Sequence, residues 1–202
     1  MRFLLSLIIL SSLSVLAQAD SDPKAATASL FVARDAFYAD VSKFRAGDLS
    51  EEQLVQRIAE QFIPLIDDRK IALRVMGRFA RQATEDQRKK FTVRLQSSLV
   101  DTYARGLAAY GGERLVLPEE AMILRTGRAR VEAKLESPGK DPLPIQFALG
   151  YDEKRGWIVE NVVIAGINLG LTLRNQFADL VRTSGSVDGA INAWTLSVGG
   201  SG

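Results

Sequence analysis

The hydrophobic period of this 202-residue chain switches at Gly111-Gly112, and that switch limits what it can fold into. Before it, large apolar residues recur at helical spacing. After it, they alternate, as in strands with one buried face. Before it, Leu30, Phe37, Val41 and Phe44 share one helical face. Ser50 and Gln53 make a capping box ahead of an amphipathic run, Leu54, Val55, Ile58, Ala59, Phe62, Ile63 and Ile66. Pro64 is expected to kink that helix or loosen its last turn, because it donates no backbone hydrogen bond. Asp67 or Asp68 can cap the next helix, which carries Ala72, Val75, Met76 and Phe79 and ends near Gln82. Thr84 and Gln87 form a second capping box. The following helix is expected to place Phe91, Leu95, Leu99, Thr102, Tyr103, Gly106, Leu107 and Tyr110 on one face, until Gly111-Gly112 ends it. Asp20 to Ala28, small and polar, is expected to fray.

Beyond the switch, Arg128 to Glu136 alternates cleanly, with Ala129, Val131, Ala133 and Leu135 on one side and Arg130, Glu132 and Lys134 on the other. Ser137 to Pro142 reads as a turn, and Leu143, Ile145, Phe147, Leu149 and Tyr151 as the next apolar face. A second turn at Asp152 to Gly156 leads to strands over Trp157 to Ile164 and Ile167 to Leu173. Leu115 to Leu117 and Ala121 to Leu124 supply shorter strand signals. A helix bearing Leu173, Phe177, Leu180 and Val181 is expected next, then a last one over Val187 to Leu196. Helices segregated before and after an antiparallel meander predict an α+β layer architecture in one domain, residues 20–202.

The N-terminus has the form of an export leader. Met1-Arg2 is followed by an apolar stretch to Leu16 and by Ala17-Gln18-Ala19, a small-x-small cleavage pattern, so residues 1–19 are expected to be removed. The apolar run is shorter than the roughly 20 residues that span a bilayer. The chain has no cysteine, so an exported product would be stabilised without disulfides. Its charge is nearly balanced, 26 basic against 24 acidic residues, which argues against nucleic-acid binding by bulk electrostatics. Arg78, Arg81, Arg88, Lys89, Lys90 and Arg94 do cluster locally, either as a solvated helix face or as a docking patch for an acidic surface or anionic headgroups.

Catalytic chemistry has little to stand on. The sequence has no histidine, which removes the usual proton carrier near neutral pH and the Ser-His and Cys-His pairs. Without cysteine as well, a zinc site would need carboxylates alone. The acidic pairs Glu51-Glu52, Asp67-Asp68, Glu85-Asp86 and Glu119-Glu120 stand at helix starts or turns, where they complement helix dipoles. No cofactor is implied. The apolar faces by themselves read as an ordinary core, because spacing does not tell a core from a cavity wall.

The order of short motifs adds to this. Asp67 to Lys70, Met76-Gly77-Arg78-Phe79, Ala83-Thr84-x-x-Gln87, Phe91 and Thr102-Tyr103-x-x-x-Leu107-x-x-Tyr110 resemble the MlaC, or toluene-tolerance, family. So do Gly156-Trp157, Val162-x-x-x-Gly166, Leu169 and Arg174-x-x-Phe177 in the second half. The resemblance implies a periplasmic, non-enzymatic phospholipid carrier of NTF2-like layered type, with an apolar cleft between sheet and helices. It implies exchange between an inner-membrane ABC-transporter complex with its substrate-binding subunit and an outer-membrane lipoprotein complex, which maintains outer-membrane lipid asymmetry. A monomer is expected. Mapped onto this chain, the lipid-binding candidates are Val75, Met76, Phe79, Leu95, Leu99, Tyr103, Leu107, Tyr110, Phe147, Leu149, Val163, Ile164, Ile167, Leu169, Leu171 and Phe177. Partner docking would fall on Arg78, Arg81, Arg88 and Lys89. The competing readings are an exported structural or chaperone-like domain with a filled core, and a small-ligand enzyme on the same scaffold.

Overall fold

The computed structural model describes residues 19–104, 106 and 112–196. The leader positions up to Gln18, and Leu107, Tyr110 and Gly111, lie outside the described residues. The remainder is α+β, as the change of period predicts. Helices α1 (Pro23–Ala46), α2 (Glu51–Phe62), α3 (Asp68–Met76) and α4 (Glu85–Leu99) precede the sheet. Its strands are β1 (Arg114–Val116), β2 (Met122–Arg125), β3 (Arg128–Glu136), β4 (Leu143–Asp152), β5 (Gly156–Ile164) and β6 (Ile167–Asn168). Helices α5 (Leu169–Ser184) and α6 (Val187–Ala193) follow. The strand order is β1-β3-β4-β5-β6, with β2 also paired to β3, and every ladder is antiparallel.

Local chemistry sets most boundaries. Ser50 and Thr84 cap α2 and α4 in complete capping boxes with Gln53 and Gln87, satisfying backbone donors that a helix start leaves open. Asp67 caps α3 by accepting from the Lys70 amide. Pro64 confines its effect to one 3-10 turn, Ile63–Leu65, between α2 and Ile66.

The chain departs from the sequence expectation in several places. Asp20 to Ala28 is ordered, not frayed. Asp22 caps α1, the Asp20 carbonyl accepts from Gly127, and buried Thr27 donates to the Glu119 carbonyl. These tertiary hydrogen bonds have no local signature. The helix expected to reach Gln82 stops at Met76, because Gly77 turns to φ +56° and the chain continues as a 3-10 turn to Arg81. The expected strand Ile167 to Leu173 is only two residues long. The Asn168 side chain accepts from the Leu171 amide and starts α5 at Leu169. The last helix stops at Ala193, short of Leu196.

Register explains the apolar face of the sheet. Ala129, Val131 and Ala133 pair with Leu149, Phe147 and Ile145. In β4–β5, Leu149 pairs with Val159 but Ala148 pairs with Asn161, so Glu160 is an extra, unpaired residue. This bulge resets the alternation. Trp157 and Val159 before it, and Val162 and Ile164 after it, pair with Tyr151, Leu149, Phe147 and Ile145 and share one face. Val163 pairs with Gln146 and stands on the other side.

Gly77 is the position where backbone freedom matters most. Beyond its positive φ, an added Cβ would lie 2.7 Å from the Arg174 Nε. Gly77→Ala is expected to lower stability by roughly 1–3 kcal/mol through backbone strain, read as a fall in the urea midpoint. Gly139, at φ +70° with open space around it, should tolerate alanine better, with strain alone to bear.

Candidate apolar ligand site

The buried apolar side chains fall into three clusters instead of one core. The first joins α3, α4, α5 and α6 through Val75, Met76, Phe91, Leu95, Leu173, Phe177 and Trp194. Its centre is aromatic, with Phe91 and Phe177 at 4.6 Å between ring centroids and Trp194 edge-on to Phe91 at 5.1 Å. Such tilted pairs add to simple burial. The second joins the apolar sheet face to the start of α1 through Ala26, Leu30, Val131, Leu149, Trp157 and Val159. The third lies between α1, α2 and the end of α4, around Phe37, Val41, Leu54, Ile58 and Ala104.

Two short stretches pass from one cluster to the next. Leu99 packs against the first and Val100 against the third. Phe62 packs against the third, and Leu65 and Ile66 against the second. Several large apolar side chains are only half-buried. Phe62, Leu99, Val100 and Tyr103 come from the helices, and Ile145, Phe147, Val162 and Ile164 from the sheet. Apolar walls of this kind can take an apolar ligand, because burying each methylene returns about 0.8 kcal/mol.

Tyr103 owes its place to an irregularity. Val100–Ala104 winds as a π-helix, a wider turn that recurs at functional positions. In a continuous α-helix Leu95, Leu99 and Tyr103 would share a face. The wider turn instead buries Ala104 in the third cluster, and among the described residues Tyr103 belongs to none of the three. Burial pushes the Tyr103 phenol above its ordinary pKa.

The structure sorts the sequence candidates. Val75, Met76, Leu95 and Phe177 are fully buried in the aromatic helical cluster, with Phe79 at its edge. Leu149 is buried under α1, and half-buried Phe147 packs against the same cluster. Leu99, Tyr103, Phe147 and Ile164 are half-buried. Val163 is on the far face. Leu169 and Leu171 are in the first turn of α5, and Ile167 and Leu171 are exposed. Leu107 and Tyr110 lie outside the described residues. Phe62, Val100, Ile145 and Val162 were not on the sequence list. Ile145 was accessible from its alternation with Phe147. Val162 needed the bulge.

Of the basic cluster, Arg88 donates to the Ala80 carbonyl at 2.9 Å and pairs with Glu85. Arg94 donates to the carbonyls of Asn192 and Trp194. Arg78 lies over the Phe79 ring. These three are occupied in holding the fold, while Arg81, Lys89 and Lys90 are exposed and make no ion pair among the described residues.

Ion pairs lock the crossing at Ile66, which bridges to Val159 of β5. Arg155 donates to the Ile66 carbonyl at 3.1 Å and to the Asp67 carboxylate at 2.7 Å. Lys70 pairs with both Asp67 and Asp152. Burial raises the Asp67 pKa, but hydrogen bonds from Lys70 and the Arg155 and Lys70 charges outweigh it, and the net shift is downward. Among the described residues there is no cluster of metal-ligating side chains, and no helix is long and apolar enough to cross a membrane.

A family model, MlaC protein, matches residues 38–195. The chain belongs to the MlaC family. Among curated proteins it is 30% identical over 139 residues to the toluene tolerance protein ttg2D of Pseudomonas putida, a match covering 67% of this chain and 63% of that protein. The match thus spans less than two thirds of that relative. Among solved structures, a phospholipid-binding protein from Ralstonia solanacearum, determined in complex with a phospholipid, is similar in fold. Its TM-score is 0.70 at 25% identity, over 83% of this chain and 93% of that one. MlaC membership and that structure agree with the α+β sheet-and-helix architecture described above.

The lowered Asp67 pKa makes a prediction with a definite sign. A carboxylate whose pKa falls on folding stabilises the fold above its unfolded value, ordinarily 3.8. That contribution is lost as pH falls through the folded value. Asp67→Asn is therefore expected to be less stable than the wild type at neutral pH. The gap between their denaturation midpoints should close below about pH 4. A gap that is constant with pH would show that the Asp67 charge does not contribute to stability.

Proposed function

We propose that this MlaC protein is a non-catalytic phospholipid carrier of the periplasm. The observation that carries the reading is the division of the apolar interior into three clusters. Beside them Leu99, Phe147 and Val162 are half-buried at cluster edges, and Tyr103 and Ile164 are half-buried apart from the clusters. It is supported by a relative of the same fold that binds phospholipid. The acyl chains would lie against those edges, and the headgroup would stay at the mouth, in water. A two-tailed lipid has on the order of thirty methylenes, at ~0.8 kcal/mol each against water. An apolar wall replaces one apolar medium with another, so uptake and release can both be nearly neutral in free energy. The absence of histidine and cysteine from the sequence argues for binding over catalysis.

On this reading the leader, residues 1–19, is removed on export. Lipid is exchanged between an inner-membrane ABC-transporter complex with its substrate-binding subunit and an outer-membrane lipoprotein complex, maintaining outer-membrane lipid asymmetry. Arg81, Lys89 and Lys90 are the cations free to meet an acidic partner surface. Lys89 and Lys90 border an open groove with Val93, Ser97, Ile191 and Asn192.

Organic extraction of protein purified without detergent, followed by mass spectrometry, tests the proposal. Phospholipid of mixed headgroup and chain length is expected, and an empty protein would sink the carrier reading. A paired substitution locates the site. Leu149→Trp overpacks a closed core and should cost roughly 1–3 kcal/mol. Ile164→Trp, at a half-buried position, should leave the melting temperature of the lipid-free protein near the wild type while reducing bound lipid. The reverse pattern would put the acyl site elsewhere.

A further inference from the structure

The apolar face of β4 and β5 changes character at one level. Leu149 and Val159 pair across the ladder and are buried, at 2% and 8% exposure. The next pairs on that face, Phe147 with Val162 and Ile145 with Ile164, are half-buried. Beyond them Leu143 on β4 is 37% exposed, and Ile167, which pairs with Ile164, is 59% exposed. Their neighbours on β3, Ala129, Val131 and Ala133, are buried at every level. The half-open apolar surface therefore lies over β4 and β5. It is closed at the Leu149–Val159 row and open towards Leu143.

The closed row is held on both faces of the sheet. On the apolar face it packs with Ala26 and Leu30 of α1. Ile66 bridges to Val159 there, and Arg155 fixes the Ile66 carbonyl at 3.1 Å. On the opposite face Glu160, the bulge residue next to Val159, lies over Gly150 and is held by Arg128 and Arg74. A dense row clamped from both sides does not give way to an apolar chain pressed against it. The dimensions also fit. From Ile145 to Leu149 the strand advances about 13 Å. The acyl chains of one bilayer leaflet fill about 15 Å.

We propose that the Leu149–Val159 row is the floor of the acyl site and sets the longest acyl chain that the protein accepts. The chains enter from the Leu143 end, pass over Phe147 and Val162, and stop at the row beside the bulge. This rests on the carrier reading. It adds the residues that choose between lipids by chain length.

The test offers lipid-free protein an equimolar mixture of phosphatidylcholines with acyl chains of fourteen to twenty carbons. Bound lipid is extracted and sorted by chain length in a mass spectrometer. Val159→Ala lowers the floor. It is expected to raise the share of the longest chains over the shortest, by about fourfold for each methylene newly admitted. Val162→Phe raises the floor from the next row and is expected to shift the bound lipid to shorter chains. Val41→Ala is the control, the same truncation at a buried position of the third cluster. It should keep the wild-type choice of chains even where its melting temperature falls. An unchanged choice in both Val159→Ala and Val162→Phe would overturn the proposal. So would an equal shift in Val41→Ala, which would trace chain choice to general stability. If Val159→Ala fails to fold, Val162→Phe decides alone. Shorter chains would uphold the floor, and unchanged chains, longer chains or no lipid of any length would overturn it. A wild type that takes up no lipid would instead overturn the carrier reading beneath it.

Discussion

Glu160 is the residue on which the arrangement of sheet and helices depends. As the extra residue of the β5 bulge it has no partner across the ladder. Its side chain lies over Gly150, where an added Cβ would come within 2.4 Å of the carboxylate. There it meets Arg128 of β3 and Arg74 of α3, the latter at 3.0 Å. Arg74 also donates to the Glu160 carbonyl. One residue therefore ties two strands of the sheet to the helical cluster. A mostly buried carboxylate needs such partners, because leaving it unpaired would cost several kcal/mol. The bulge also keeps Trp157, Val159, Val162 and Ile164 on one face. Without it, Val162 and Ile164 would turn to the far side.

The helical cluster is held to β5 at further points. The Asn161 side chain accepts from the Gly170 amide and donates to the Asn168 side chain. Asn168 in turn starts α5. At the other end of the strand, Arg155 and Lys70 hold the Ile66 crossing against β5. Polar contacts thus join sheet and helices along β5, while the apolar clusters remain separate. Directional bonds fix spacing without filling volume. A purely apolar seam would tend to collapse to crystal-like packing.

Much of the architecture was legible in the chain. Ser50 with Gln53 and Thr84 with Gln87 set helix starts by contacts only three residues apart, so their spacing in sequence is their spacing in space. The alternation of Arg128 to Glu136 and of Leu143 to Tyr151 assigned both strands and their inner faces. Local reading failed where a distant group took over. Thr27 finds the Glu119 carbonyl, and the frayed segment becomes the start of α1. One local cap was missed as well: Asn168 accepts from the Leu171 amide three residues on, and an expected strand becomes a helix. The candidate site suffered most. Val75, Met76, Leu95 and Phe177 have the same character as Leu99 and Tyr103, yet the first four are sealed among aromatic rings and the other two are half-open.

Sequence by itself determined the α+β class, the helix caps, the two main strands, the family resemblance and the poverty of catalytic groups. All of these follow from residue identity and from contacts within a turn or a strand period. Tertiary structure alone decided which apolar residues close a core and which are left half-exposed. It also decided, through the bulge, that Val162 and Ile164 and not Val163 share the face of Phe147 and Ile145, and that this face runs open to Ile167. The physical reason is that burial is a property of what lies opposite a side chain. The bulge at Glu160, the π turn at Val100–Ala104 and the ion pairs along β5 set those oppositions between residues far apart in the chain.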